Sequence, residues 1–183
     1  QGYEGGLQKT PGRWYVKAPV FSFSKLKGAD TVLSPEMKST GEAMGYDKDL
    51  NRAMYKALQA SGMNLKNYGT LFATLARKDR EQALPLIRRF YDLGFNIEAT
   101  EGTAKFLKEN GIRTRIKKKI SEGSEEIPES LRAGHVTYVI NTVNPDKIST
   151  RADSFIIRRV AVENGVTVFT SLDTVDIVLN VLE

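Results

Sequence analysis

The sequence contains no cysteine and a single histidine, His135, among its 183 residues. Without cysteine the chain can form no disulfide, no thiolate metal site and no cysteine nucleophile. A single histidine rules out paired-histidine catalysis and clustered zinc ligands. We therefore predict no metal site in this chain, and we interpret His135 as a capping or partly exposed residue at the start of an apolar strand.

Long apolar stretches are also missing, since no run approaches the roughly 20 residues that span a bilayer. The start, Gln1-Gly2-Tyr3-Glu4-Gly5-Gly6, lacks the basic-then-apolar pattern of a secretion signal. Hydrophobic residues make up 40% of the chain and charged residues 27%, as in a soluble globular protein. The sequence therefore predicts a cytoplasmic location without membrane attachment.

The net charge of +5 raises the question of a nucleic-acid partner, which depends on how the basic residues are distributed. The densest group is Arg113, Arg115 and Lys117 to Lys119, and on a strand alternate members of this group would share one face. Such a face suits a phosphate-bearing ligand. Aromatic residues that could stack on bases are absent there, which disfavours single-stranded nucleic acid.

Hydrophobic periodicity along the chain predicts strands that alternate with helices. The predicted strands are 68–75, 95–99, 112–120, 135–141 and 167–169, and the predicted helices are 47–60, 79–92, 103–110, 128–134, 153–164 and 171–182. Upstream, Val16 to Phe23 has strand character interrupted by Pro19, and 142–152 reads as a loop. This alternation favours a three-layer α/β/α fold with a mostly parallel sheet.

Polar residues follow three of these strands where each strand ends. They are Thr100 with Thr103, then Lys119, then Asn141 with Thr142. Because the carboxyl ends of parallel strands share one edge, these residues are expected to converge on one ligand, and the helix after Thr100 adds N–H groups that favour an anion. The alternative, in which Thr100 is only a helix cap and Gly102 only permits the turn, stays open from this pattern.

Several longer motifs resemble a known family, the carboxyl-terminal regulatory domain of the carbamoyl phosphate synthetase large subunit, which has the Rossmann-like methylglyoxal-synthase-like fold. The motifs are Gly94-Phe95-x-Ile97-x-Ala99-Thr100-x-Gly102-Thr103-Ala104, Lys119-x-x-Glu122-Gly123, Val139-Ile140-Asn141-Thr142 and Asp153-Ser154-x-x-Ile157-Arg158-Arg159. Upstream, Pro35-Glu36-Met37-x-Ser39-Thr40-Gly41-Glu42-x-Met44-Gly45 resembles the end of that subunit's second ATP-grasp half. The resemblance implies an ATP-grasp remnant over 1–45 and a regulatory domain over 46–183.

The resemblance also implies a set of effector-binding residues. Phosphate contacts fall on Arg80, Thr100, Thr103 and Lys119, with Arg80 standing where the family commonly has lysine. Asn141, Thr142 and Asp153 match further pocket positions, and Val143 stands where a second threonine is common. Lys119 argues against the acetylglutamate-binding variant of the domain. Of the adjacent Arg158 and Arg159, one is expected to face solvent or an interface.

The function implied by the resemblance is regulation of pyrimidine and arginine biosynthesis through a nucleotide effector such as UMP or IMP. The partners would be the rest of the large subunit and the glutaminase small subunit, with self-association left open. The parent enzyme uses ATP with Mg or Mn, whereas this fragment is expected to be non-catalytic and to hold no cofactor.

Two enzymes share parts of these motifs. Methylglyoxal synthase has the same fold and eliminates phosphate from a triose phosphate, and it remains the alternative function. Its Gly-Gly-Asp turn is replaced here by Thr142-Val143-Asn144-Pro145-Asp146, which disfavours it. The purine-pathway cyclohydrolase domain shares the Thr-x-Gly-Thr turn, but its Gly-Arg-Val-Lys run is absent.

Overall fold

Seven strands and six helices make up the described part of the chain, which comprises residues 12–20, 41–142 and 148–183 of the computed structural model. The strands are β1 (Trp14–Val20), β2 (Gly41–Asp47), β3 (Thr70–Thr74), β4 (Asn96–Thr100), β5 (Thr114–Lys117), β6 (Val136–Asn141) and β7 (Thr167–Phe169). The helices are α1 (Leu50–Ala60), α2 (Arg80–Asp92), α3 (Glu101–Glu109), α4 (Glu126–Arg132), α5 (Ile148–Glu163) and α6 (Leu172–Leu182). Short 3₁₀ turns occupy Arg77–Asp79 and Ile120–Glu122.

The main sheet is fully parallel and has the strand order β5-β4-β3-β6-β7. Helices α2, α3 and α6 pack on one face and α4 and α5 on the other, because the apolar side chains of these helices share separate cores with alternate strand residues. The predicted three-layer α/β/α fold with a parallel sheet is confirmed.

Each face of the sheet buries its own core, as the period of two along a strand requires. On the first face Leu71, Ile97, Tyr138 and Ile140 pack against Ile87, Phe90, Leu107 and Leu179. On the second face Phe72 and Val139 pack against Ile127, Leu131, Ile157 and Val160. Strands with apolar residues on both faces are typical of a buried parallel sheet.

A two-stranded antiparallel hairpin, β1 with β2, precedes the main sheet and packs on α1. A Cβ atom on Gly45 would lie 2.1 Å from the Ala53 carbonyl oxygen and 2.4 Å from the Ala57 nitrogen, so only glycine permits this close approach. Strand β2 was not predicted, and the expected domain border between residues 45 and 46 falls inside it. That division stays a prediction. Phe21, Phe23 and the start of the Pro35 to Gly45 motif lie outside the described residues.

Strand β5 is shorter than the predicted 112–120. The N–H groups of Lys118 and Lys119 bond to the Glu126 and Glu122 carboxylates at 3.2 Å and 3.4 Å, so the chain turns away from β4 after Lys117. The expectation that alternate basic residues from Arg113 to Lys119 share a strand face is therefore wrong for Arg113 and Lys119, which lie outside β5.

Helix α5 begins five residues before the predicted start at Asp153. Asp153 was expected to open the helix, but its Oδ2 accepts a hydrogen bond from the Ser121 hydroxyl at 2.8 Å and so ties α5 to the turn after β5. Val143 and the predicted turn at Asn144 to Asp146 lie outside the described residues.

None of the helices within the described ranges is both long enough and apolar enough to cross a membrane.

Candidate functional site

The order of the strands reverses between β3 and β6, because the chain runs outward from β3 to β5 on one side and from β6 to β7 on the other. At such a switch point the connections leave toward opposite faces and open a crevice beyond the carboxyl ends of the strands. Thr74 ends β3 and Asn141 ends β6, and the two residues are register partners. This edge is therefore the candidate ligand site.

Four threonine hydroxyls and one amide lie at this edge. We call these residues the switch-point cluster: Thr74, Thr100, Thr103, Asn141 and Thr142. Thr103 Oγ1 accepts a hydrogen bond from the Leu75 N–H at 3.1 Å, and Thr142 Oγ1 accepts from the Ala76 N–H at 2.8 Å. Thr100 Oγ1 donates to Thr74 Oγ1 at 3.4 Å. The residues after β4 and β6 thus bond to the end of β3, which lies between these two strands. The predicted convergence with Lys119 on one ligand stays a prediction.

The oxygen atoms of the Thr103 and Thr142 hydroxyls each accept a hydrogen bond from a backbone N–H. The proton of each hydroxyl is not used in these bonds. A hydroxyl is one donor and two acceptors. Thr103 is 1% exposed and Thr142 is 8% exposed, so their orientation is fixed by packing as well as by these bonds. The arrangement leaves two pre-oriented O–H donors beside the crevice.

Helix α3 begins directly after Thr100, whose backbone is extended as at an N-cap. Among the described residues no side chain caps the first turn of α3, since the Thr100 hydroxyl bonds to Thr74 instead. Thr100 therefore occupies the N-cap position, but its hydroxyl does not cap the helix. The N–H groups of this turn and the positive end of the helix dipole stay directed at the crevice.

The guanidinium of Arg80, from the first turn of α2, lies over Gly102 in the first turn of α3. A Cβ atom on Gly102 would lie 2.8 Å from Nη2 of Arg80. A side chain at position 102 would displace the guanidinium from this position, so Gly102 permits the close approach of Arg80. The two helix N-termini are brought together at this contact.

Arg80 carries an uncompensated charge in the described structure. Its Nε is buried without a hydrogen-bond partner, and none of the described carboxylates forms an ion pair with it. Burial, followed by the neighbouring charge of Arg77, lowers the pKa of the Arg80 guanidinium. A group whose charged form is destabilised in this way is stabilised by an anion.

Lys119 and Asp153 lie beside the switch-point cluster rather than within it. Lys119 is two residues beyond β5 and exposed, whereas Lys117 is the register partner of Thr100. Asp153 holds the turn that follows Lys119 through its bond to Ser121. No hydrogen bond among the described residues links Lys119 or Asp153 directly to the cluster.

Two members of the site were missed from the sequence. Thr74 lies between Thr100 and Asn141 on the sheet edge, and its polar residue type at the end of an apolar strand was the available signal. Arg158 on α5 is 4% exposed, and its Nη1 donates to Asn141 Oδ1 at 3.2 Å. Its neighbour Arg159 is exposed and pairs with Glu163 at 3.2 Å, which confirms the expectation that one of the two faces solvent.

A second polar cluster lies on the α4 and α5 face around Glu98, a residue of β4 that is 3% exposed. Its carboxylate faces His135 Nε2 at 3.5 Å, Arg115 Nη1 at 3.6 Å and Lys117 Nζ at 3.8 Å. The His135 side chain is 44% exposed, as predicted. Part of the basic cluster is thus compensated by Glu98 rather than directed at a ligand.

In the part of the chain that the structure describes, no group of three or more histidine, aspartate or glutamate side chains could hold a metal ion. The donor set at the switch point consists of hydroxyls, amide N–H groups and a guanidinium, which suit an anion rather than a cation.

Comparison with known families gives one match, in which residues 82–170 fit the model described as the MGS-like domain. This segment is therefore similar to an MGS-like domain. The match covers β4 to β7 and includes most of the switch-point cluster. The matched residues include Thr100, Thr103, Asn141, Thr142, Lys119 and Asp153, whereas Thr74 and Arg80 precede them.

Proposed function

We propose that this chain is the carboxyl-terminal regulatory part of a carbamoyl phosphate synthetase large subunit, and that it binds a nucleotide effector such as UMP or IMP through its phosphate. The MGS-like match supports the type of domain. Support for this particular family comes from the resemblance of the stretch from Pro35 to Gly45 to the end of an ATP-grasp half.

The observation that carries the proposal is the guanidinium of Arg80, which has no ion-pair partner among the described residues and lies over Gly102 at the N-terminus of α3. A phosphate dianion placed there would meet Arg80, the N–H groups of the α3 first turn and the Thr103 hydroxyl together. Charge-assisted hydrogen bonds of this kind contribute about 1.5–3 kcal/mol each. Thr100 completes the phosphate contacts, and Lys119 reaches them from the turn after β5.

The remaining residues of the proposed site would contact the nucleoside part of the effector. Neighbouring strands are about 4.8 Å apart, so β6 lies two strand spacings, or about 10 Å, from β4. Asn141 at the end of β6 and Thr142 directly after it would therefore contact the sugar or the base. Asp153 would act from α5, where its bond to Ser121 holds the turn after β5.

No catalytic residue is proposed in this chain. In the parent enzyme, ATP and Mg or Mn would act upstream of these residues, and the partners would be the rest of the large subunit and the glutaminase small subunit in the cytoplasm. Self-association of the chain would be compatible with this role.

Titration calorimetry with UMP, IMP and inorganic phosphate tests the proposal. We expect Arg80→Met to weaken binding of all three ligands at least tenfold, because it removes the guanidinium contacts. Arg80→Met should leave the ligand-free stability unchanged or higher, since it removes a desolvated charge. The matched control is Lys118→Met, which removes one positive charge from the exposed turn beside the site.

Equal binding by wild type and Arg80→Met would refute the phosphate site. The methylglyoxal-synthase alternative is tested with dihydroxyacetone phosphate: conversion to methylglyoxal and phosphate by the purified chain would replace the regulatory function with a lyase function. The proposal expects no turnover of this compound.

A further inference from the structure

The side-chain amide of Asn141 is wholly buried at the carboxyl end of β6, and only half of it is satisfied. Its Oδ1 accepts from Arg158, whereas its Nδ2 has no hydrogen-bond partner among the described residues. A buried N–H₂ group without an acceptor is costly, so native proteins keep one where a ligand or a water supplies the acceptor. The amide therefore presents an unfilled donor.

Arg158 determines which end of the amide is presented. A guanidinium has donors only, so it can bond to the oxygen of the amide and not to its nitrogen. Arg158 is 4% exposed on α5, whose Ile157, Val160 and Ala161 are anchored in the core of the second sheet face. Because the helix fixes the guanidinium, the amide oxygen is held toward α5 and the nitrogen is directed elsewhere.

The place of Asn141 in the switch-point cluster indicates what the nitrogen meets. Asn141 is the register partner of Thr74, and the next residue, Thr142, holds the Ala76 N–H through its hydroxyl. Asn141 lies two strand spacings, or about 10 Å, from the end of β4 that carries Thr100, one of the proposed phosphate contacts. An acceptor on the nucleoside part of a bound nucleotide would reach it, whereas the phosphate itself would not.

We propose that Arg158 is a positioning residue that orients Asn141 so that the pocket offers an amide donor to the nucleoside part of the ligand. The pocket then selects ligands that carry an oxygen or an unprotonated ring nitrogen at this position. This inference rests on the proposed function, because it takes the nucleotide to bind at the switch point.

The ratio of the affinities for UMP and for inorganic phosphate tests the inference, since phosphate lacks the nucleoside part. We expect Arg158→Met to weaken the affinity for UMP at least tenfold. The affinity for inorganic phosphate should stay within about twofold of the wild-type value. Arg158→Lys should restore part of the loss because lysine is also a donor. Arg159→Met is the matched control and should change neither affinity.

A double-mutant cycle separates positioning from a general structural role. If Arg158 acts through Asn141, then Arg158→Met should have no further effect on UMP affinity in an Asn141→Leu background. A loss that is equal for UMP and phosphate, or one that adds to that of Asn141→Leu, would overturn the inference and leave Arg158 a structural residue.

A measurement without ligand distinguishes failure of this inference from failure of the proposed function. In the wild-type chain the two side-chain N–H₂ protons of Asn141 should give one set of resonances, and Arg158→Met should broaden or duplicate them as the amide reorients. If these resonances behave alike in both proteins, the orienting role is wrong. If wild type binds neither phosphate nor UMP, the proposed function fails together with the ligand selection inferred here.

Discussion

Gly102 shows how a single missing Cβ atom can serve a site rather than a turn. Glycine disfavours a helix by roughly 1 kcal/mol relative to alanine, yet here it stands in the first turn of α3 under the Arg80 guanidinium. Replacing Gly102 by alanine should therefore affect the stability of the helix and the affinity for the ligand in opposite directions.

We expect Gly102→Ala to leave the melting temperature unchanged or slightly higher, because alanine favours the helix and the Arg80 side chain can swing aside. Affinity for UMP and for phosphate should fall roughly tenfold, because the displaced guanidinium loses about one charge-assisted hydrogen bond. Thermal unfolding and calorimetry measure the two effects. Glu109→Ala, on an exposed position of the same helix, is the control and should not alter binding. Full affinity in Gly102→Ala would mean that Arg80 does not contact the ligand.

The residue types at the ends of β4 and β6 were sufficient to predict that Thr100, Thr103, Asn141 and Thr142 lie at one sheet edge, because the carboxyl ends of parallel strands share an edge. Arg158 could not be predicted in the same way. The sequence gives two adjacent arginines on a helix, and only the packing angle of α5 decides which of them enters the sheet edge.

Among the elements, the hairpin of β1 and β2 is joined to α1 by a charge contact as well as by Gly45. Asp47 Oδ2 accepts from Lys56 Nζ at 2.7 Å, and this bond is the main reason that the pKa of Asp47 is lowered from 3.8 to about 2. Backbone N–H donors around Asp49 add to the effect.

A carboxylate with a lowered pKa stabilises the folded state above its ordinary pKa, and this contribution is lost as the pH falls toward the folded-state value. The contact between the hairpin and α1 should therefore weaken between about pH 4 and pH 2. We expect Lys56→Met to move the Asp47 titration toward its ordinary value, as followed by the ¹³C shift of the Asp47 carboxyl group. Lys48→Met, beside the same carboxylate in sequence, should leave it in place. An unchanged Asp47 titration in Lys56→Met would contradict this account.

Element types were predicted well where long apolar patterns exist, as in α2, β6 and α6, and poorly where a side chain acts outside its own element. Strand β5 ends early because Glu122 and Glu126 accept hydrogen bonds from the next two N–H groups. Helix α5 begins five residues before Asp153, whose side chain bonds to Ser121 instead of capping the helix. Strand β2 has the composition Gly-Glu-Ala-Met-Gly-Tyr-Asp, which carries no strand signal and forms a strand only through its pairing with β1.

At the scale of the whole molecule, the sheet carries a buried charge as well as two apolar cores. Within the described residues Glu98 is the one buried carboxylate, and the cations Arg115 and Lys117 of β5 and the imidazole of His135 surround it. Its Oε2 lacks a hydrogen bond among these residues, so the cluster is held by charge rather than by close donor contacts.

Removing this carboxylate should leave Lys117, whose side chain is only 15% exposed, facing Arg115 without compensation. We expect Glu98→Gln to lower the free energy of unfolding by about 1–3 kcal/mol, less than for a fully buried pair because Arg115 and His135 can turn to solvent. The loss should shrink at high salt, which screens the remaining repulsion. Urea denaturation at two salt concentrations measures it, with the exposed Glu101→Gln as control. A loss that does not depend on salt would mean that Glu98 acts by packing alone.

The successive backbone N–H groups of Leu75 and Ala76 are donated to hydroxyls that come from opposite sides of β3. When a ligand accepts the proton of either hydroxyl, the oxygen becomes a stronger acceptor for the amide behind it. The hydrogen bonds of these two adjacent amides therefore depend on whether a ligand occupies the crevice. The amide resonances of Leu75 and Ala76 would therefore shift together when a ligand binds. Binding could be followed from these resonances without a dye or a modified nucleotide.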